Sequence, residues 1–283
     1  MHDLSEVAAR AAAAVKSADA ILICAGAGMG VDSGLPDFRG PEGFWRAHPA
    51  ARKLGLRFEQ LADPRWFRED PPLAWGFYGH RLNLYRRTEP HRGFAILRRW
   101  AEAARAGAFV FTSNVDGQFQ RAGFGEEQVV ECHGSILHMQ CLQGCDIDAW
   151  SAADVTITVD EASLRAAPPL PACPRCEGLA RPNILMFGDF GWDPTRASAQ
   201  EERFSAWLAD REAEGARVVV ICLGSGTAIP TVRFTAERTA RRLRGTLVRI
   251  NPRDPGVPAG QLSLPTGALA GLTAIDEALA RLV

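Results

Sequence analysis

The residues with the most definite chemistry are four cysteines, Cys141 and Cys145 in one pair and Cys173 and Cys176 in a second. Four thiolates meet the tetrahedral preference of zinc. A closed four-cysteine set leaves no position for water, so the expected role is a structural staple. The other three, Cys24, Cys132 and Cys222, lie in or beside strand-like runs and are expected to be buried thiols. Just before the first pair stands Glu131-Cys132-His133-Gly134-Ser135. An imidazole titrates near ~6.5, which suits general-base work, although a lone histidine serves equally well as a satisfied structural residue. In Thr112-Ser113-Asn114-Val115-Asp116-Gly117, polar residues directly follow an apolar run. Such residues at the carboxyl end of a parallel strand face the ligand crevice, and Asn and Asp also suit a helix N-cap. The turn Gly26-Ala27-Gly28-Met29-Gly30 lets backbone approach a pyrophosphate, or is a plain structural turn. Pro36-Asp37-Phe38-Arg39 adds a rigid turn, an aromatic wall and a cation suited to phosphate or carboxylate.

These residues need elements to position them. The glycine turn ends a continuous apolar run at 20–25, and similar runs occupy 108–112, 217–224 and 246–251. Unbroken apolar runs of this length fit strands covered on both faces, as in parallel sheets. Helix-like stretches at 93–106 and 231–243 alternate with them, and an Ala-rich amphipathic helix precedes the first. The expectation is α/β: a Rossmann-type doubly wound parallel sheet with a smaller zinc-binding and helical module. The sheet domain is expected to be discontinuous, from 1–40, 91–135 and 182–283. The module takes 41–90, rich in Trp, Phe, Pro and Arg, and 136–181, which holds the four cysteines.

Taken together, these segments resemble the sirtuin family of NAD-dependent protein deacylases. Residues 26–39 look like its cofactor motif, and Thr112–Asp116 resembles its Thr-Gln-Asn-Ile-Asp stretch with Ser113 in place of Gln. His133 precedes the cysteines as in the family. Arg181-Pro182 and Phe187-Gly188-Asp189 resemble the segment that pairs with a substrate peptide, with Asp189 for Glu and Phe190-Gly191-Trp192 for the usual Leu-Pro. Gly224-Ser225-Gly226-Thr227 and Ile250-Asn251 look like the elements that hold the adenosine half of NAD. Tyr78 and Arg81 fit the Tyr-x-x-Arg pattern of sirtuins that remove succinyl and malonyl groups. A phenol and a guanidinium could clamp such a carboxylate; the alternative is an amphipathic helix with Arg81 outside and Tyr78 packed.

The resemblance implies NAD as co-substrate, structural Zn2+, and acylated lysine proteins or peptides as partners. It makes Gly26, Ala27, Gly28, Asp37, Phe38, Arg39, Ser113, Gly224, Ser225 and Asn251 cofactor-binding. Asn114 would orient the nicotinamide ribose and water, Asp116 would hold the carboxamide, and His133 would be the catalytic base. Tyr78, Arg81, Phe187 and Gly188 would contact substrate. The acyl oxygen would attack the ribose as nicotinamide leaves, giving free lysine and O-acyl-ADP-ribose. Two alternatives stay open. One is an NAD glycohydrolase or ADP-ribosyltransferase on the same fold, and the other is a non-enzymatic zinc-ribbon binding module. A hydride-transferring dehydrogenase is disfavoured because Val31 stands where its third glycine is needed.

Composition fits this reading. With 32 basic and 33 acidic residues and a net charge of -1, nothing calls for nucleic acid or a membrane surface as partner. The apolar runs fall far short of the ~20 residues of a spanning helix. An odd number of cysteines, four in metal spacing, suits a reducing compartment, so a cytoplasmic location is expected.

Overall fold

The computed structural model describes residues 4–36, 51–52 and 55–282. Its strands run in chain order as β1 (Ala20–Ala25), β2 (Ala108–Thr112), β3 (Val129–Glu131), β4 (Gly134–Cys141), β5 (Trp150–Ser151) and β6 (Val159–Asp160). They continue as β7 (Arg165–Ala166), β8 (Ala180–Ile184), β9 (Val218–Leu223), β10 (Thr246–Ile250) and β11 (Leu262–Leu264).

Six of these form one sheet in the order β11-β10-β9-β1-β2-β3, every neighbouring pair parallel. This is the Rossmann strand order, and the direction of winding reverses between β1 and β9. The apolar runs are explained by burial on both faces. Along β1, Ile21, Ile23 and Ala25 enter one core, where they meet the helices Leu4–Ser17, Arg92–Ala103 and Ala268–Ala280. Ala20, Leu22 and Cys24 enter the opposite core, under Thr195–Ala213 and Thr231–Arg242. Strands β3 and β11, three residues each, were not expected from the sequence; they are too short to show a period.

The second body holds the antiparallel sheet β5-β4-β8, the hairpin β6-β7 and the helix Pro71–Arg87. Asp70 caps that helix, accepting from the Leu73 amide at 3.3 Å, and prolines occupy its first turn. The helix buries Trp75, Phe77, Tyr78 and Leu82 against Ile136 and Met139 of β4 and against Ile157. The indole of Trp75 donates to the Ala180 carbonyl on β8 at 3.0 Å, so the helix is fixed to the sheet that frames the cysteines. The two bodies join between β3 and β4. There Gly134 turns at φ +77, and an added Cβ would lie 2.1 Å from the Asn183 carbonyl oxygen. His133 stands in this joint.

Candidate active site

Three glycines shape the floor of the cleft at the point of reversal. A Cβ on Gly28 would come within 2.7 Å of the Gly224 Cα, one on Gly26 within 2.9 Å of the Gly224 oxygen, and Gly224 itself sits at φ +55. No other residue type permits this approach of two turns. Gly26 leads into two short 3-10 turns, Ala27–Met29 and Val31–Ser33, instead of entering an α-helix directly.

Above this floor opens a cavity of about 870 Å³. Gly26, Ala27 and Ser225 line it from the carboxyl ends of β1 and β9, and Ser113, Asn114 and Asp116 from the end of β2. His133 lines it from the joint, Tyr78 and Arg81 from the helix Pro71–Arg87, and Phe187 from beyond β8. Residues far apart in sequence thus share one cavity. Gly28, Gly224, Asn251 and Gly188 do not line it. Asn251 is buried behind it, donating to the Ser225 carbonyl at 2.7 Å and accepting from the Arg253 and Asp254 amides at 3.0 Å each. Asp37, Phe38 and Arg39 lie outside the described residues.

The loop after β2 is fixed by short-range bonds. Thr112 Oγ1 donates to the Ala25 carbonyl at 2.8 Å and accepts from the Asn114 amide at 3.0 Å. The Asn114 side chain donates to the Gly26 carbonyl at 3.1 Å, joining this loop to the glycine floor. Asp116, just before the helix Gln118–Arg121, accepts from the Gln118 amide at 3.0 Å while also facing the cavity. Burial pushes its carboxyl up to about 6, against the Gln118 amide and the positive field of Arg81. Burial also holds the His133 imidazole below its ordinary range, so the neutral ring prevails at neutral pH. The Ser113 backbone acts on the ring in the opposite sense, favouring its charged form.

Behind the histidine, Glu131 is buried and pairs with Arg196 at 2.7 Å, and burial pushes its carboxyl up to about 7.

The opposite wall is made of side chains. Arg81 is buried, contrary to the reading that placed it on the outside of an amphipathic helix, whereas Tyr78 is packed as that reading required. The guanidinium lies 5.4–5.7 Å from the ring centroids of Phe58, Phe77, Tyr78 and Tyr85, within cation–π range. It donates to the Tyr85 hydroxyl from Nη2 at 2.9 Å and from Nε at 3.2 Å. Tyr85, rather than Tyr78, is thus the phenol bonded to Arg81. Its spacing of four residues along one helix was the available signal. Burial pushes the Tyr78 hydroxyl up to about 12, so it remains a neutral donor.

The exchange of Asp for Glu at 189 has a local role. The carboxylate forms a buried two-point pair with Arg181, one contact at 3.0 Å, and accepts from the Met186 and Gly191 amides at 3.2 and 3.1 Å. The loop after Phe187 is folded around that pair, and the Phe187 amide donates to the Ala62 carbonyl at 2.9 Å.

The cysteines converge apart from the cavity. Their four sulfurs lie within 4.8 Å of one another, with Cys141–Cys176 at 3.6 Å and Cys145–Cys173 at 3.5 Å. Zinc–sulfur bonds of ~2.3 Å set tetrahedral edges of about 3.8 Å, so these residues fit the ion. Cys24, Cys132 and Cys222 are buried free thiols.

The comparisons with known proteins agree with this geometry. The Sir2 family model matches residues 26–206. An NAD-dependent protein deacylase of Aeropyrum pernix is 31% identical over 229 residues, 80% of this chain and 78% of the relative. One of Thermococcus kodakarensis is 32% identical over 236 residues, 82% and 79% of the two chains. The fold superposes on a solved Sir2 complex with p53 peptide and NAD+ at a TM-score of 0.67 and 21% identity, covering 94% of this chain and 95% of that one. The chain belongs to the Sir2 family.

Proposed function

We propose that this protein removes acyl groups from lysine side chains with NAD as co-substrate, and that its acyl site accepts acetyl and, through Arg81, succinyl or malonyl groups. The observation that carries this is the single cavity at the sheet's point of reversal, where Ser113, Asn114, Asp116 and His133 face Tyr78 and Arg81. A cleft of this position is where Rossmann sheets bind dinucleotides. The relatives from Aeropyrum and Thermococcus are named for the same activity.

In this reading, Gly26, Ala27 and Ser225 cradle the NAD phosphates and ribose, and Gly28, Gly224 and Asn251 hold those turns in place. Asn114 orients the reacting ribose and a water, and Asp116 binds the carboxamide of nicotinamide. His133, neutral at working pH, takes the proton from a ribose hydroxyl so that its oxygen can attack the acyl carbon. Phe187 and Gly188 border the peptide, and Arg81 with Tyr78 meets a carboxylate at the end of an acidic acyl chain. The zinc-cysteine set takes no part in the reaction and stabilises the smaller body, which we delimit as 41–90 and 136–181. Thiolate ligands require a reducing compartment, and we place the protein in the cytoplasm on that ground.

The experiment is mass spectrometry of the purified chain with NAD and matched acetyl-, succinyl- and unmodified lysine peptides. Acyl-dependent release of nicotinamide with O-acyl-ADP-ribose is expected. Nicotinamide release that ignores the acyl group would make the protein an NAD glycohydrolase or ADP-ribosyltransferase. No turnover of NAD would leave only the binding-module reading.

A further inference from the structure

The turns that follow β1 are tied to the rest of the sheet domain from outside the cavity, and one residue, His91, makes two of those ties. His91 precedes the helix Arg92–Ala103 as its N-cap. Its Nδ1 accepts from the Gly93 amide at 3.0 Å, and its Nε2 lies 2.9 Å from the Met29 carbonyl. Because Nδ1 accepts, the ring proton is on Nε2 and is donated to Met29. The His91 amide donates to Ser33 Oγ at 3.0 Å. One turn further on, Asp32 accepts from the Leu269 amide at 2.8 Å, at the start of the helix Ala268–Ala280. The segment between Gly26 and Pro36, both on the cavity wall, is therefore clamped at Met29, Asp32 and Ser33.

We propose that His91 is a positioning residue for the NAD-binding turn, holding the Met29 carbonyl through one ring nitrogen while the other caps the following helix. The inference rests on the reading of the Gly26–Pro36 wall as the NAD site. Protonation would place a second N–H on Nδ1, facing the Gly93 N–H. The two donors repel, so the charged ring gives up the Gly93 cap, while its Nε2–H still donates to the Met29 carbonyl, a contact that favours the charged form. Among the described residues, Asp32 is the charged group acting on the ring and favours its protonated form. Burial outweighs Asp32 and holds the imidazole below its ordinary range. The Phe94 ring closes another side, with centroids 4.9 Å apart. The sign follows. A neutral ring is favoured by the fold, so both contacts are complete above the ordinary imidazole value of ~6.5, and the Gly93 cap is lost as pH falls through the depressed folded value.

Hydrogen exchange of the full chain, read at 26–36 and at 92–103, tests this for wild type, His91→Asn and His91→Ala, with NAD affinity measured by calorimetry. Asparagine still caps the Gly93 amide but is too short to reach Met29, so it separates the clamp from the cap. In His91→Asn, exchange at 26–36 should quicken while 92–103 stays protected. NAD should bind about 10-fold more weakly, with KM for NAD rising while kcat moves by less than about twofold. His91→Ala should loosen both segments. Taking wild type from about pH 8 to about pH 5.5 should quicken its exchange at the start of 92–103, corrected for the intrinsic rate, while 26–36 stays protected, and His91→Asn should show no such change. Wild-type exchange at 26–36 in His91→Asn would overturn the proposal. Failure of wild type to bind NAD would sink the functional reading instead, and the exchange data would still decide the clamp.

Discussion

The two walls of the cavity are built in opposite ways. The wall at the point of reversal is made of main chain: two glycine turns in contact, the Gly26 carbonyl holding Asn114, and the Gln118 amide donating to Asp116. The wall on the helix Pro71–Arg87 is made of side chains, a guanidinium enclosed by four aromatic rings and bonded to one of their hydroxyls. A wall of main chain admits few substitutions and fixes one ligand, whereas a wall of side chains can be retuned one residue at a time. On the proposed function, the chain thus separates the site for NAD from the site for the acyl group.

The sharpest break in this contrast is His133→Ala, at the joint between the walls. Deacylation should fall by about 10³-fold or more with the unfolding temperature unchanged. In the unaltered enzyme, activity should be lost as pH falls below the ordinary imidazole range, because burial depresses the ring's affinity for protons and the neutral form is the base. A variant turning over normally would remove His133 from the chemistry. Gly224→Ala probes the main-chain wall. Its Cβ would meet Gly28 Cα at 2.4 Å in a left-handed conformation, so denaturant titration should show a loss of about 2–4 kcal/mol together with loss of NAD binding. A stable, NAD-binding Gly224→Ala would mean the turns do not need to touch.

Cys173→Ser tests the support beneath the side-chain wall. Metal analysis should find the zinc gone, and the unfolding temperature should drop by about 10 °C; a stable variant without metal would show that the cysteines are not a site. The smallest change is Arg81→Met, which keeps bulk and removes charge. The ratio of succinyl to acetyl turnover should fall about 10–100-fold while acetyl turnover is largely kept. An equal fall for both acyl groups would make Arg81 a packing residue.

The main-chain wall was largely legible in the sequence, because close approach demands glycine and strand ends demand polar residues. Gly26, Ser113, Asn114, Asp116 and His133 could be placed by type and order. The side-chain wall was legible only in part. Tyr78 and Arg81 stood out as a pair, and Tyr85 was marked only by its spacing of four residues from Arg81, while Phe58 carries no local mark, since an aromatic residue in a helix reads as core until tertiary packing is known. His91 was hidden for a different reason. A residue before a helix reads as a cap, and its second bond goes to Met29, 62 residues away. Asp189 drew notice as an exchange near the peptide segment, and its carboxylate proves to be consumed by Arg181 inside the loop.

One feature of the main-chain wall bears on how such a site can diverge. Since residue 113 acts on the imidazole of His133 through its main chain, a change of side chain there keeps that influence on the base while altering the group presented to the ligand. Position 113 is therefore a place where a lineage can drift through Ser, Gln or other residues, exploring new ligands without first passing through an inactive ancestor.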